Sequence, residues 1–264
     1  MKATVFLGGG RITSALVSGL RLAKYAPQVV VYDRHPQKLR QLKRRYGVVT
    51  EHDLCRAVEQ AKILVIAVRP GSVGGLLREI GRVDRPLTAV SLAAGVPFAN
   101  LRSGLGLRVR WARAMPSPAS RSGRGLAALA FDRGFPSAKK GELKSLFAKV
   151  GRVVEIPEQQ FDAFTATHSS SHGYHALATL AGEAAKLGLG RRTALTAAAH
   201  ALADGIVAWR EGSISLETLL DEAATPGGIA AATLRAVDHA GYSRAVAEGL
   251  AAGMKQARKN AKLA

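Results

Sequence analysis

Short apolar runs alternate with amphipathic stretches through the first 157 residues. Residues 2–7, 28–32, 47–49, 63–68, 87–92, 108–113, 125–131 and 152–156 read as strands. Several are Val-rich or apolar on both faces, as buried parallel strands are. Between them, residues 13–24 bring Ala15, Leu16, Leu20 and Ala23 to one helical face. Residues 36–46, 53–60, 71–81 and 137–150 follow as helices, with Pro36 suited to a first turn and Asp53 to a cap. This alternation predicts an α/β fold with a Rossmann-type, doubly wound sheet.

After Pro157 the strand pattern stops. Residues 161–170, 174–187, 191–210, 216–223, 228–240 and 243–262 are Ala- and Leu-rich with Gly between them. They predict an all-α domain whose weakly polar helices bury a face against another subunit. The expected organisation is a Rossmann-type domain over residues 1–157 and a helical, self-associating domain over 158–264. His200 and Trp209 read as packing residues, and the basic stretch 255–262 as a fraying end.

Charge divides at the same place. Residues 1–157 hold 28 Lys+Arg and 9 Asp+Glu, whereas 158–264 hold ten of each. The whole formal net charge of +19 therefore sits in the first part and draws anions there. Nucleic acid is disfavoured, because the basic loops lack interleaved aromatics and no nucleic-acid module is evident. A single cysteine, Cys55, excludes an intramolecular disulfide framework and a cysteine zinc cluster. It reads as an inert helix residue in a reducing cytoplasm. No apolar run approaches the ~18 residues of a membrane span, and the apolar part of the N-terminus is short for a signal peptide.

The chemistry begins at Gly8-Gly9-Gly10-Arg11-Ile12-Thr13, between the first strand and the first helix. Glycines permit a tight turn and close approach of a pyrophosphate, and the helix start supplies unpaired N–H groups. Thr13 stands where Gly or Ala is usual in this fingerprint. At the end of the second strand, Asp33 suits the ribose hydroxyls of NAD and Arg34 the 2′-phosphate of NADP. Charge-assisted pairing favours NADP(H), with NAD(H) as the alternative.

Five motifs then occur in order: Phe6-Leu7-Gly8-Gly9-Gly10, Ala67-Val68-Arg69-Pro70, Val90-Ser91-Leu92-Ala93-Ala94-Gly95-Val96, Arg113-Ala114-Met115-Pro116 and Thr225-Pro226-Gly227-Gly228. With Asp162-Ala163-Phe164-Thr165-Ala166, they resemble the pyrroline-5-carboxylate reductase family over essentially the whole chain. The resemblance implies reduction of 1-pyrroline-5-carboxylate to proline by NAD(P)H and a helical domain that dimerises by interleaving. It places Ala67, Val68, Arg69 and Pro70 beside the cofactor, with Arg69 where the family has Lys. It also implies that Thr225, Gly227, Gly228, Ile229 and Ala230 hold the substrate carboxylate, through backbone N–H groups at a helix start.

The chain departs from the family at the substrate end. The family's Ser-Gly-Ser-Gly-Pro-Ala-Tyr becomes His168-Ser169-Ser170-Ser171-His172-Gly173-Tyr174, and its two threonines after Pro-Gly-Gly become Ile229 and Ala230. The second of those threonines contacts the imine nitrogen in the family. His172 and Tyr174 are the candidate proton donors, since reduction of a C=N bond needs a proton source. His168, His172 and His175 would share a face only in one continuous helix, which Ser169–Ser171 and Gly173 disfavour, so no metal is expected. The alternatives are a reductase of another imine or a keto compound, and a non-catalytic NADPH-sensing or nucleic-acid-binding protein.

Overall fold

The computed structural model describes residues 2–264. Its elements are β1 (Ala3–Leu7), α1 (Arg11–Leu22), β2 (Val29–Tyr32), α2 (Pro36–Tyr46), β3 (Val49–Glu51), α3 (Leu54–Gln60) and β4 (Ala61–Ile66). Then come α4 (Val73–Ile80), β5 (Leu87–Ser91), α5 (Phe98–Arg102), β6 (Val109–Pro116), β7 (Gly125–Phe131), α6 (Ser137–Ala148), β8 (Gly151–Glu155) and α7 (Glu158–Thr167). The rest is helical: α8 (Ser170–Lys186), α9 (Arg191–Glu211), α10 (Leu216–Ala223), α11 (Ile229–His239) and α12 (Tyr242–Leu263).

The strands form one eight-stranded sheet in the order β3-β2-β1-β4-β5-β6-β7-β8. All pairings are parallel except β6 with β7. Alternation along β1 shows why the sheet is covered twice. Val5 and Leu7 face a core shared with α3, α4, α5 and α7, whereas Phe6 faces a core shared with α1, α2 and α6. Every residue of β1 and β5 is buried, as a central parallel strand requires.

Local signals set most boundaries. Asp53 caps α3, accepting the Arg56 amide hydrogen at 2.9 Å. Residues 71–81 are not one helix: Pro70 keeps Arg69 extended, and a 3₁₀ turn over Pro70–Ser72 precedes α4. The third strand lies at Val49–Glu51, slightly later than the β-branched run implies. Helix α5, with five residues, is too short to show a helical period in sequence.

Contacts divide the chain into two compact units, Met1–His168 with Ala252–Ala264, and Ser169–Ala251. The sheet unit thus extends past the composition break at 157 and takes in α7, whose Phe161 is fully buried. It also takes in the chain's end. Residues 255–262, expected to fray, are helical, and Asn260 Nδ2 donates to the Ala94 carbonyl at 3.1 Å. Asn100 Nδ2 donates to the Ala261 carbonyl at 2.7 Å. Gly95 permits this docking, because a Cβ there would lie 2.5 Å from the Ala257 carbonyl oxygen.

The second unit is built on α8, α9, α10 and α11. It buries little: α8 has no buried residue among its 17. His200 and Trp209, read as packing residues, are exposed in the single chain, and His200 Nδ1 meets Asp204 at 2.9 Å. No helix among the described residues is long and apolar enough to cross a membrane.

Candidate cofactor-binding site

The sheet grows in both directions from β1, with β2 on one side and β4 on the other. Above the carboxyl ends of such adjacent strands a crevice opens, because their connections leave to opposite faces. Here it is a cleft of about 1110 Å³. Gly8, Gly10, Arg11, Ile12, Arg34, Ala67, Val68 and Arg69 all line it, so the structure brings together most of the sequence-assigned cofactor residues.

The glycine loop is held tightly against both neighbouring strands. The Gly8 amide donates to the Tyr32 carbonyl at 2.7 Å, and the Ala67 amide to the Leu7 carbonyl at 2.8 Å. Gly8 has φ +112°, and a Cβ would stand 2.6 Å from the Ala67 carbonyl oxygen. The loop can pass here only as glycine. Beyond it, Gly10 caps α1 without a side-chain hydrogen bond, and a Cβ at Gly10 would meet nothing within 4 Å. A helix start with uncapped N–H groups therefore faces open space, the arrangement that fits a pyrophosphate.

Thr13 and Pro70 do not line the cleft. Thr13 is fully buried, and its hydroxyl donates to the Gly8 carbonyl at 2.5 Å, bracing the turn from behind. A small residue at this fingerprint position would pack the helix on the strand, whereas Thr13 ties it by a hydrogen bond. Pro70 opens the 3₁₀ turn that follows β4.

Asp33 resolves the two-way signal at the end of β2. Its side chain is only 8% exposed, and both carboxylate oxygens are engaged within the protein. Oδ2 accepts the Gly9 amide hydrogen at 2.7 Å, and Oδ1 accepts the His35 amide hydrogen at 2.8 Å. The His35 ring Nδ1 lies 2.8 Å from Oδ1, and Lys38 Nζ 3.3 Å from Oδ2. Burial pushes this carboxyl up, but the Gly9 and His35 amides, the His35 ring and Lys38 outweigh it and hold it below its ordinary value. Among the described residues Asp33 is the only acid on the cleft wall, and its hydrogen-bonding capacity is spent on Gly9, His35 and Lys38.

The remaining charged side chains on the wall are basic: Arg11, Arg34, Lys38, Arg45, Arg69 and Arg121, with His35 beside them. Arg34 is 65% exposed and paired with Glu79 of α4. Arg121 escaped the sequence reading, since it lies on a 3₁₀ turn over Pro118–Ser122 with no apolar period to mark it.

The other assigned residues lie in the second unit. Gly227 has φ +80°, and Gly228 caps α11 without a side-chain hydrogen bond, its amide donating to the Thr225 carbonyl at 2.9 Å. Ile229 is exposed, and the Thr233 hydroxyl donates to the Ile229 carbonyl at 3.0 Å within the helix. His172 and Tyr174 lie in the first turns of α8, with Tyr174 exposed. His168 ends α7 instead, its Nε2 3.0 Å from the Leu126 carbonyl and its ring against Phe164. The three histidines thus do not share one helix, and no metal-capable cluster occurs among the described residues.

Comparison with known proteins agrees with this architecture. Residues 4–95 match the family described as NADP oxidoreductase coenzyme F420-dependent, and residues 158–260 match pyrroline-5-carboxylate reductase dimerisation. A pyrroline-5-carboxylate reductase of Thermus thermophilus is 32% identical over 263 residues, covering 95% of each chain. That of Corynebacterium melassecola is 29% identical over 248 residues, covering 91% of this chain and 92% of the relative. The crystal structure of Plasmodium falciparum pyrroline carboxylate reductase with NADP bound has the same fold, with a TM-score of 0.87, 20% identity and 98% of each chain covered. With a relative above 30% identity over nearly its full length and a chain-wide order of motifs, the protein belongs to the pyrroline-5-carboxylate reductase family.

Proposed function

We propose that the protein reduces 1-pyrroline-5-carboxylate, or a close carboxylated cyclic imine, at the expense of NADPH. Family membership supports the reaction class. The observation that carries the cofactor assignment is the Asp33 carboxylate, which is committed to the Gly9 and His35 amides while the cleft rim is basic. NADPH, when bound, supplies the hydride for the C=N carbon.

The chain's own residues bind and orient. The Gly8–Gly10 loop and the start of α1 receive the pyrophosphate, and Arg34 the 2′-phosphate. Ala67, Val68 and Arg69 border the nicotinamide side at the end of β4. The backbone N–H groups of Gly227, Ile229 and Ala230 hold the substrate carboxylate, which needs no particular side chain, while the Gly228 amide and the Thr225 carbonyl close the turn beneath them. His172 or Tyr174 delivers the proton to nitrogen as it gains the electron pair of the C=N bond.

The second unit pairs with its counterpart in another copy. Leu180, Leu195, Ile206, Trp209, Leu216 and Leu220 are exposed in the single chain, more apolar surface than a free monomer presents. A reducing cytoplasm suits the free, exposed Cys55.

The test is oxidation of NADPH on addition of 1-pyrroline-5-carboxylate, with proline identified as product. An uncarboxylated 1-pyrroline serves as comparison. Because Ile229 and Ala230 replace the threonines of the family pattern, equal turnover of both imines would move the assignment to a related, uncarboxylated substrate.

A further inference from the structure

Two basic side chains that follow β2 line the cleft, Arg34 in the turn and Lys38 in the first turn of α2, and each already holds a carboxylate. Lys38 Nζ lies 3.3 Å from Asp33 Oδ2. Arg34 Nη2 is paired with Glu79 Oε2, from the last turn of α4, 45 residues away in sequence. Asp33 is buried and serves the glycine loop, but Glu79 is 44% exposed and has no such duty. Helix α4 also borders the cleft through Gly75 and Leu76. The Arg34–Glu79 pair therefore ties the turn after β2 to α4 beside the cleft.

We propose that Glu79 tunes cofactor choice by competing with the 2′-phosphate of NADP(H) for Arg34. The proposal rests on the NADPH assignment above and names the residue that moderates it. A nucleotide with a 2′-phosphate must break or share the Arg34–Glu79 pair, whereas NAD(H) places no anion there. An exposed ion pair contributes little, and a phosphate offers more charge and more acceptor oxygens. The phosphate therefore displaces Glu79, and the carboxylate lowers the preference for NADP(H) without abolishing it.

The experiment is a titration of the full-length protein with NADPH and NADH, for wild type, Glu79→Gln, Arg34→Ala and the double variant. Glu79→Gln should tighten NADPH about two- to fivefold at low salt, the range of a released surface pair, and leave NADH unchanged. In the Arg34→Ala background the same substitution should give no gain. An unchanged or weaker NADPH affinity in Glu79→Gln, or an equal gain in both backgrounds, overturns the proposal alone. Failure of the wild type to bind either dinucleotide overturns the cofactor reading and the proposal with it. A gain shared equally by NADPH and NADH also counts against competition, because it marks a general change in the cleft.

Discussion

The Asp33 carboxylate accepts the Gly9 amide hydrogen at 2.7 Å, across 24 residues of sequence. This bond fastens the tip of the glycine loop to the end of β2, where the same side chain also takes the His35 amide hydrogen. One residue thus sets the position of the glycine loop relative to the end of β2. It does so with a charge that the protein, rather than a ligand, neutralises.

Asp33→Asn should accordingly lower stability by about 1–3 kcal/mol near neutral pH, the scale of lost charge-assisted hydrogen bonds at a buried group. The carboxyl is held below its ordinary value of 3.8, so its contribution is complete above that value. It disappears as pH falls through the lower folded value. Urea unfolding of wild type and variant should therefore converge in acid and separate above about pH 4. A constant gap across the range would contradict the account. Binding of NADPH and NADH should weaken together.

Gly8→Ala and Gly10→Ala should behave differently. At Gly8, φ +112° and the 2.6 Å approach to Ala67 predict a loss on the order of 1–3 kcal/mol or more, with loss of dinucleotide binding. At Gly10 the space is open, so stability should change by only about 0.5 kcal/mol. Dinucleotide affinity should still fall, since the new methyl group faces the pyrophosphate position. Thermal unfolding and cofactor titration separate the two effects.

Arg113 is the largest charged group buried in the sheet unit, 2% exposed in β6. It pairs with Asp162 at 2.9 Å and Glu158 at 3.4 Å, and its guanidinium lies 4.2 Å from the centre of the Phe161 ring. These contacts pin α7 to the sheet. Arg113→Met should destabilise by about 1–3 kcal/mol, less than breaking a fully buried pair, because both acids keep access to water. Asp162→Asn should cost less, since Glu158 still faces the guanidinium. If Asp162→Asn proved the more damaging change, the acids rather than the arginine would anchor the helix.

At the substrate end, Ala230→Thr should raise turnover of 1-pyrroline-5-carboxylate by about tenfold, the rate equivalent of one recovered hydrogen bond to the imine nitrogen. His172→Ala should lower turnover and alter its pH profile, whereas a merely structural histidine would leave the profile unchanged. Steady-state kinetics across pH, with both cofactors, measures this.

Periodicity and turn chemistry carried the architecture. The apolar strands, the bounds of α2 and α10 and the cap at Asp53 all follow from residues within a few positions of one another. So does the glycine loop between a strand and a helix. The Asp33-Arg34 pair is equally legible as a choice between two cofactors, but not which way the choice falls. The bonds that occupy Asp33 and Arg34 come from Gly9 and Glu79, 24 and 45 residues away, and no local pattern announces them. The docking of the chain's end on Ala94 and Asn100 was hidden for the same reason, as was the buried role of Thr13. The separation of His168 from the helix of His172 followed from a break that composition could suggest but not locate. Local preferences are written in neighbouring residues, whereas a hydrogen bond or ion pair between distant segments exists only once the folded backbone brings donor and acceptor within about 3 Å.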